Sequence, residues 1–271
     1  MTYQPVVPLG GNAGWAFLKR TRDDQQAAFV KSKTFARDVD YFRAKIGQVK
    51  TAEDLVSDRR LLSVALGAFG LDEDLPNRAY IRKVLEEGTI AEDSFANKLA
   101  DKRYFAFAKA LGFDLSPPNT AKASFVDDTV AAYEDRQFEI AVGETDQGLR
   151  LALGFGRDVT ALAEKSTSER SFWYGVMANR PLRTVFEGAL GLPPGSSLDV
   201  DKLVTQFEDR AASVFGEGGR ERFADPEVQE DAIRKYLLRE SLDLTSAATS
   251  SGRAALSLLQ AAPRLYPPLY G

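Results

Sequence analysis

Asp58-Arg-Arg-Leu-Leu-Ser-Val-Ala-Leu-Gly-Ala-Phe-Gly-Leu71 is the stretch that decides the fold. Its apolar positions Leu61, Leu62, Val64, Ala65, Ala68 and Phe69 follow the one-, three- and four-residue steps of a helix with a broad buried face. Gly70 suits the residue just past a helix end, where the left-handed backbone excludes other side chains. Leu71 can then fold back on the last turn in a Schellman-type ending. Asp58 suits a helix start, because its carboxylate accepts from free backbone amides. Gly67 falls inside the helix, at roughly 1 kcal/mol relative to alanine. That cost points to close approach by another helix, with a mild bend as the alternative.

The stretch returns as Asn179-Arg-Pro-Leu-Arg-Thr-Val-Phe-Glu-Gly-Ala-Leu-Gly-Leu192. Without gaps the two agree at Arg59/Arg180, Leu61/Leu182, Val64/Val185, Gly67/Gly188, Ala68/Ala189, Gly70/Gly191 and Leu71/Leu192. A shorter version runs from Asp101 to Phe113, closing on Gly112, and a weaker one from Gln147 to Phe155, closing on Gly154. The Asp-Arg-Arg and Asp-Lys-Arg starts read as caps or inter-helix ion pairs, since a duplicated residue usually reports a duplicated structural role. Capping-box-like starts lie upstream, at Thr51–Asp54, Thr89–Glu92 and Ser166–Glu169. Each unit therefore reads as a helix, a turn and a glycine-ended helix.

The chain has 271 residues, 44% hydrophobic and 27% charged, enough for one large core or two lobes. A net charge of -4 gives no basic surplus, so nucleic acid is not an expected partner. No apolar run approaches the roughly 20 residues that span a bilayer, so no membrane insertion is expected. The N-terminus lacks the basic-then-apolar build of a secretory signal. Histidine and cysteine are absent altogether. That removes thiol nucleophiles, imidazole bases, the Ser-His-Asp triad and the usual zinc, haem and iron–sulfur sites. No cofactor, metal or catalytic residue is expected. A chain without cysteine also suits passage through an export channel unfolded.

Taken in order, residues 1–12 read as a flexible tail, and Gly10–Gly14 lacks the Gly-Lys-Ser/Thr of a phosphate loop. Trp15 to Val49 is helical, with a break near Ser32. The acids Asp72-Glu-Asp74 lack the spacing and bidentate glutamate of an EF-hand and read as a loop. Ala79–Leu85 is a short helix ended by Gly88. Leu115-Ser-Pro-Pro-Asn-Thr-Ala-Lys122 is the best internal boundary. It divides an N-terminal lobe, 13–117, with two repeat units from a C-terminal lobe, 118–262, with two weaker ones. Helices are expected at Val126–Ile140, Val159–Ala163, Phe172–Met177, Val200–Phe215, from Asp225-Pro226 onward and, separately, at 254–262. Phe172, Trp173 and Tyr174 read as core. The Leu192-Pro-Pro-Gly-Ser-Ser197 stretch is a turn, and 263–271 is a second flexible tail. With no alternating β-branched run and no hairpin signal, the fold class is all-α, built of repeated helix-turn-helix units.

Thr51–Leu71, together with Ile81-Arg-Lys-Val-Leu-Glu-Glu-Gly-Thr89, Leu99-Ala-Asp-Lys-Arg-Tyr104 and Phe107-Ala-Lys-Ala-Leu-Gly-Phe113, resembles an uncharacterised bacterial family, domain of unknown function 1217. Asp40-Tyr-Phe-Arg-Ala-Lys-Ile46 is similar to that family's entry helix. Members tend to lie among flagellar genes in alphaproteobacteria, and some are labelled flagellar basal-body proteins. The resemblance implies a flagellar association and brings no catalytic residues. The leading expectation is a non-enzymatic, protein-binding or assembly protein of the flagellar system, cytoplasmic or exported to the flagellum. One alternative is a peptidoglycan-cleaving glycosidase, which needs only two carboxylates roughly 5–10 Å apart. Glu53, Asp54, Glu86, Glu87, Glu144 and Asp146 are the candidates. A third reading is a cytoplasmic regulator that binds a partner helix.

Overall fold

The computed structural model describes residues 3–99, 101–193 and 199–261, with side chains described as far as Asp243. Among these residues the chain is all-helical and holds no strand. The α-helices are α1 (Gly11–Val30), α2 (Lys33–Lys45), α3 (Ala52–Ser57), α4 (Arg59–Ala68), α5 (Arg78–Glu87), α6 (Phe95–Lys98), α7 (Lys102–Leu111), α8 (Ala123–Gly143), α9 (Gln147–Lys165), α10 (Glu169–Ala178), α11 (Arg180–Leu190), α12 (Val200–Phe215) and α13 (Pro226–Ala261). Two compact units share them. The first is Met1–Leu9 with Gly14–Gly154, and the second is Gly10–Ala13 with Phe155–Gly271.

In the first unit, α4 packs on α2, α3 and α8. Its buried face is Leu61, Leu62, Val64, Ala65, Leu66 and Ala68. Phe29, Phe35, Phe138 and Tyr133 close one side of that core, with Phe35 and Tyr133 stacked 5.1 Å apart. In the second unit, α11 packs on α10, α12 and α13. Phe172, Trp173, Phe186, Phe207 and Phe223 form its centre, all fully buried. As expected from the sequence, Phe172 and Trp173 are core; Tyr174 instead faces outward and donates to Asp201.

The Leu115–Lys122 stretch, read as a boundary, lies within the first unit. Its Thr120 is buried and donates to the Val49 carbonyl at 2.7 Å, which anchors the stretch at that residue. Of residues 1–12, read as a flexible tail, Gly11 and Asn12 open α1 and Val6 is tied to it. The buried Gln25 side chain accepts from the Val6 amide at 2.6 Å and donates to the Val6 carbonyl at 3.1 Å. The helix expected separately at 254–262 belongs, as far as Ala261, to the single 36-residue α13. Nothing in its Thr, Ser and Ala run forbids helix, and a lone Gly252 costs only about 1 kcal/mol. Residues 194–198 of the expected turn, residue 262 and the tail 263–271 lie outside the described residues.

Candidate interaction site

The two related stretches form helices that begin and end alike. Asp58 accepts from the amides of Arg60 and Leu61 at 2.9 and 3.1 Å, and Asn179 accepts from Leu182 at 3.2 Å. At the far end Gly70 and Gly191 take φ of +69° and +66°. Leu71 N–H reaches back to Leu66 O at 2.9 Å, and Leu192 N–H to Glu187 O at 2.8 Å. Gly70 and Gly191 donate to Gly67 and Gly188, both at 3.2 Å. That pair of bonds defines the Schellman ending, and Leu71 and Leu192 are buried behind it. Asp101 caps α7 in the same way, accepting from Arg103 N–H at 2.9 Å. Gly112 closes that helix more simply, with φ +61° and one bond to Ala108 O at 2.9 Å.

Gly154 behaves otherwise. It is an interior residue of α9, which runs on to Lys165. Phe155 and Val159 are buried and continue the apolar face past it, so packing holds the helix through the glycine.

The interior glycines mark close helix crossings, as their cost suggested. A Cβ on Gly67 would stand 2.7 Å from the Tyr133 ring of α8, and one on Gly188 would stand 2.6 Å from the Tyr236 ring of α13. Arginines gather at both glycine ends. A Cβ on Gly70 would lie 3.0 Å from Arg136 and 3.8 Å from Arg103. One on Gly191 would lie 3.7 Å from Arg210 and 3.9 Å from Arg239. Arg103 donates to the Gly70 carbonyl, and Arg210 to the Leu190 carbonyl at 2.9 Å. Cations here satisfy exposed carbonyls and oppose the negative end of the helix dipole. Sequence reading missed these tyrosines and arginines as partners. The available signal was a Tyr-x-x-Arg in each long helix.

The duplicated Arg59 and Arg180 are both exposed. The inter-helix ion pair is made instead by Arg60, which meets Asp38 at 2.9 Å and lies 4.1 Å from the Tyr41 ring. Tyr41 in turn donates to Asp58 at 2.7 Å. Burial raises the Asp58 pKa, but this hydroxyl and the two capped amides outweigh it and hold the carboxyl below its ordinary value. Asp101 is likewise raised by burial and, on balance, held low by the Arg103 guanidinium.

Thr51 and Asp54 form the expected capping box of α3. On α10 the box is shifted two residues on, to Ser168 and Ser171. Thr89 starts no helix; its amide and that of Ile90 donate to Asp114. In the acidic loop, Asp72 accepts from Gln137 and Asp74 from Tyr104, each at 2.7 Å. Among the described residues no group of acids is placed to hold a metal ion.

Two of the six candidate carboxylates share one cation. Glu53 and Glu86 flank Arg82 at 2.8 and 3.6 Å. Asp54 accepts from the Lys50 and Thr51 amides, Glu87 from the Phe95 amide, and Asp146 from the Leu149 amide. Glu144 accepts from Gln4 at 3.3 Å.

Large apolar side chains stand exposed at several places, among them Val6, Leu9, Ile90 and Val200, and two of them share α13. Leu238 and Leu242, one turn apart, are 54% and 58% exposed. Three intrahelical ion pairs rim them: Arg234–Glu230 and Lys235–Asp231 at 2.9 Å, and Arg239–Asp243 at 3.7 Å. An apolar centre with a charge-balanced rim has the anatomy of a protein interface. Among the described residues no helix is long and apolar enough to cross a membrane.

A sequence profile described as "Protein of unknown function (DUF1217)" matches residues 68–229. A crystal structure of a protein from Agrobacterium tumefaciens is similar over 89% of this chain and 99% of its own, with 26% sequence identity and a TM-score of 0.72. A comparison with curated proteins finds no match.

Proposed function

This chain belongs to the DUF1217 family, whose function is unknown, and from that premise we propose that it is a non-enzymatic protein-binding or assembly protein, internally repeated and associated with the bacterial flagellum. The observation that carries protein binding is the pair Leu238 and Leu242, held outward on α13 and ringed by paired charges. Exposed leucines grouped on a regular element are what a docking partner buries.

The non-enzymatic part is supported by the carboxylates. A general acid and its base must be free to face a substrate. Glu53, Asp54, Glu86, Glu87, Glu144 and Asp146 instead hold cations, amides and a side-chain amide. Internal repetition is supported by the matching caps, glycine ends and tyrosine contacts of α4 and α11. The flagellar part is what the family resemblance implies.

The test is to fractionate the native cell into sheared filaments, hook–basal bodies, cytosol and medium, and to quantify the protein in each by mass spectrometry. Enrichment with hook–basal bodies is expected for a component, and a cytosolic pool that co-purifies with flagellar proteins for a helper. Even trace recovery everywhere, with normal flagella and swimming after gene deletion, would remove the flagellar assignment.

A further inference from the structure

The correspondence between the two units extends beyond α4 and α11. Both long helices carry tyrosine at their eleventh residue, Tyr133 in α8 and Tyr236 in α13. Each ring lies on an interior glycine, and each has an arginine three residues on beside the closing glycine. This register aligns Thr129 with Ala232 and Val130 with Ile233, and all four are buried. It also aligns Asp135 with Leu238 and Glu139 with Leu242.

In the first unit the first of those positions, Asp135, meets α1. Gln26 donates to Asp135 at 2.7 Å, Arg22 lies 3.7 Å from the same carboxylate, and the Phe29 ring meets Phe138 edge-on at 6.0 Å. Glu139 is buried. In the second unit the same two positions hold leucine, and both leucines stand open. Gly11 lies beside Ser241, and Asn12 donates to the Arg234 carbonyl.

We propose that the outward face of α13 at Leu238 and Leu242 is the seat for an amphipathic helix of a partner protein, laid on α13 as α1 lies on α8. The partner helix presents apolar side chains, four residues apart, where α1 presents Arg22 and Gln26. A helix is the occupant because the matching face of α8 takes one, and side chains four apart lie on one helix face. An apolar pair is required because leucine replaces both acids. Arg234, Lys235 and Arg239 each have an acid of their own one turn away, so the rim offers no surplus charge to a nucleic acid or an anionic membrane.

The inference rests on the protein-binding reading above, and its test is separate from the cell fractionation. The probe is a labelled synthetic peptide of residues 11–30 carrying Arg22→Leu and Gln26→Leu, titrated with the full chain by fluorescence anisotropy. Saturable binding is expected. Leu238→Asp with Leu242→Glu should weaken it roughly tenfold or more. The same double variant should bind the unsubstituted peptide more tightly than the parent chain does, because it recreates the acidic seat of α8. Both changes are on exposed positions, and circular dichroism checks that the variant is folded. Absence of binding, or binding indifferent to the double variant, would overturn the seat. So would a dimer of the parent chain that the double variant dissolves in the analytical ultracentrifuge, since the occupant would then be a second copy. A chain that fractionates with flagella but binds no peptide loses the seat alone. Peptide binding without flagellar fractionation loses the flagellar assignment alone.

Discussion

The ring of Tyr133 lies on the bare backbone of Gly67, so close that a Cβ there would stand 2.7 Å from the ring. Tyr236 does the same to Gly188 at 2.6 Å. Two large aromatic residues thus face two hydrogen-only positions, so no side chain on α4 or α11 holds the rings of α8 and α13 away. The roughly 1 kcal/mol that each helical glycine costs is recovered in burial of the rings.

Gly67→Ala and Gly188→Ala should therefore each destabilise the protein, although alanine is the better helix former. Overpacking costs about 1–3 kcal/mol against roughly 1 kcal/mol of propensity gained. Urea unfolding of the single variants measures this. Pairing Gly67→Ala with Tyr133→Ala should recover part of the loss through coupling of the two sites. Strict additivity would show that the ring is not what the glycine accommodates.

Arg183 and Glu187 form an ion pair at 2.8 Å, with side chains 25% and 9% exposed, at the positions where α4 has the buried Leu62 and Leu66. Replacing both by the leucines of the first stretch should be neutral or stabilising. Glu187→Leu alone should cost about 2 kcal/mol, since it strands the guanidinium in a site that only partly excludes water. A single variant as stable as the double would show that solvent already screens the pair.

The Tyr133 phenol is pushed up to about 12, first by burial and then by Asp38 and Asp72. The folded state thus keeps its proton after the unfolded chain has lost it. Stability from this group is complete below about 10, the ordinary tyrosine value, and is lost as pH rises from there towards the folded value. The unfolding midpoint of the parent should fall more steeply over that window than that of Tyr133→Phe. Parallel slopes would refute it.

Asp58 has the opposite sign. Its folded pKa lies below the ordinary carboxylate value, held there by Tyr41 and the capped amides against the burial that raises it. Its stabilisation is present above the unfolded pKa of about 3.9 and is lost as pH falls through the lower folded value. Asp58→Ala should cost about 1 kcal/mol at neutral pH through the lost cap, and the cost should shrink in acid. Thermal melts across the acid range would show it.

Much of the fold was legible because it is local. The three- and four-residue apolar steps of Leu61 to Ala68, the Asp58 and Thr51 caps and the Gly70-Leu71 ending depend on a few neighbouring residues and stand as read. Gly154-Phe155 carries the same local mark and is no helix end, because Phe155 and Val159 are buried and hold α9 straight through it. Pro117 and Pro118 look like a linker, yet Thr120 beside them is buried against Val49. A local signal sets what a segment can do; burial against distant residues selects among the options.

By itself the sequence determined an all-helical chain with glycine-closed helices, and it removed imidazole and thiol chemistry, since periodicity, capping and composition need no knowledge of what lies across the core. Only the tertiary structure decided which tyrosine meets which glycine, that Arg60 rather than the duplicated Arg59 pairs across helices, and that Leu238 and Leu242 face outward beside a buried Tyr236 and Leu237. On a helix rich in leucine each turn can point several apolar side chains inward. Which of them stay in water depends on the partner helices packed alongside, and the one-dimensional pattern of α13 does not specify those.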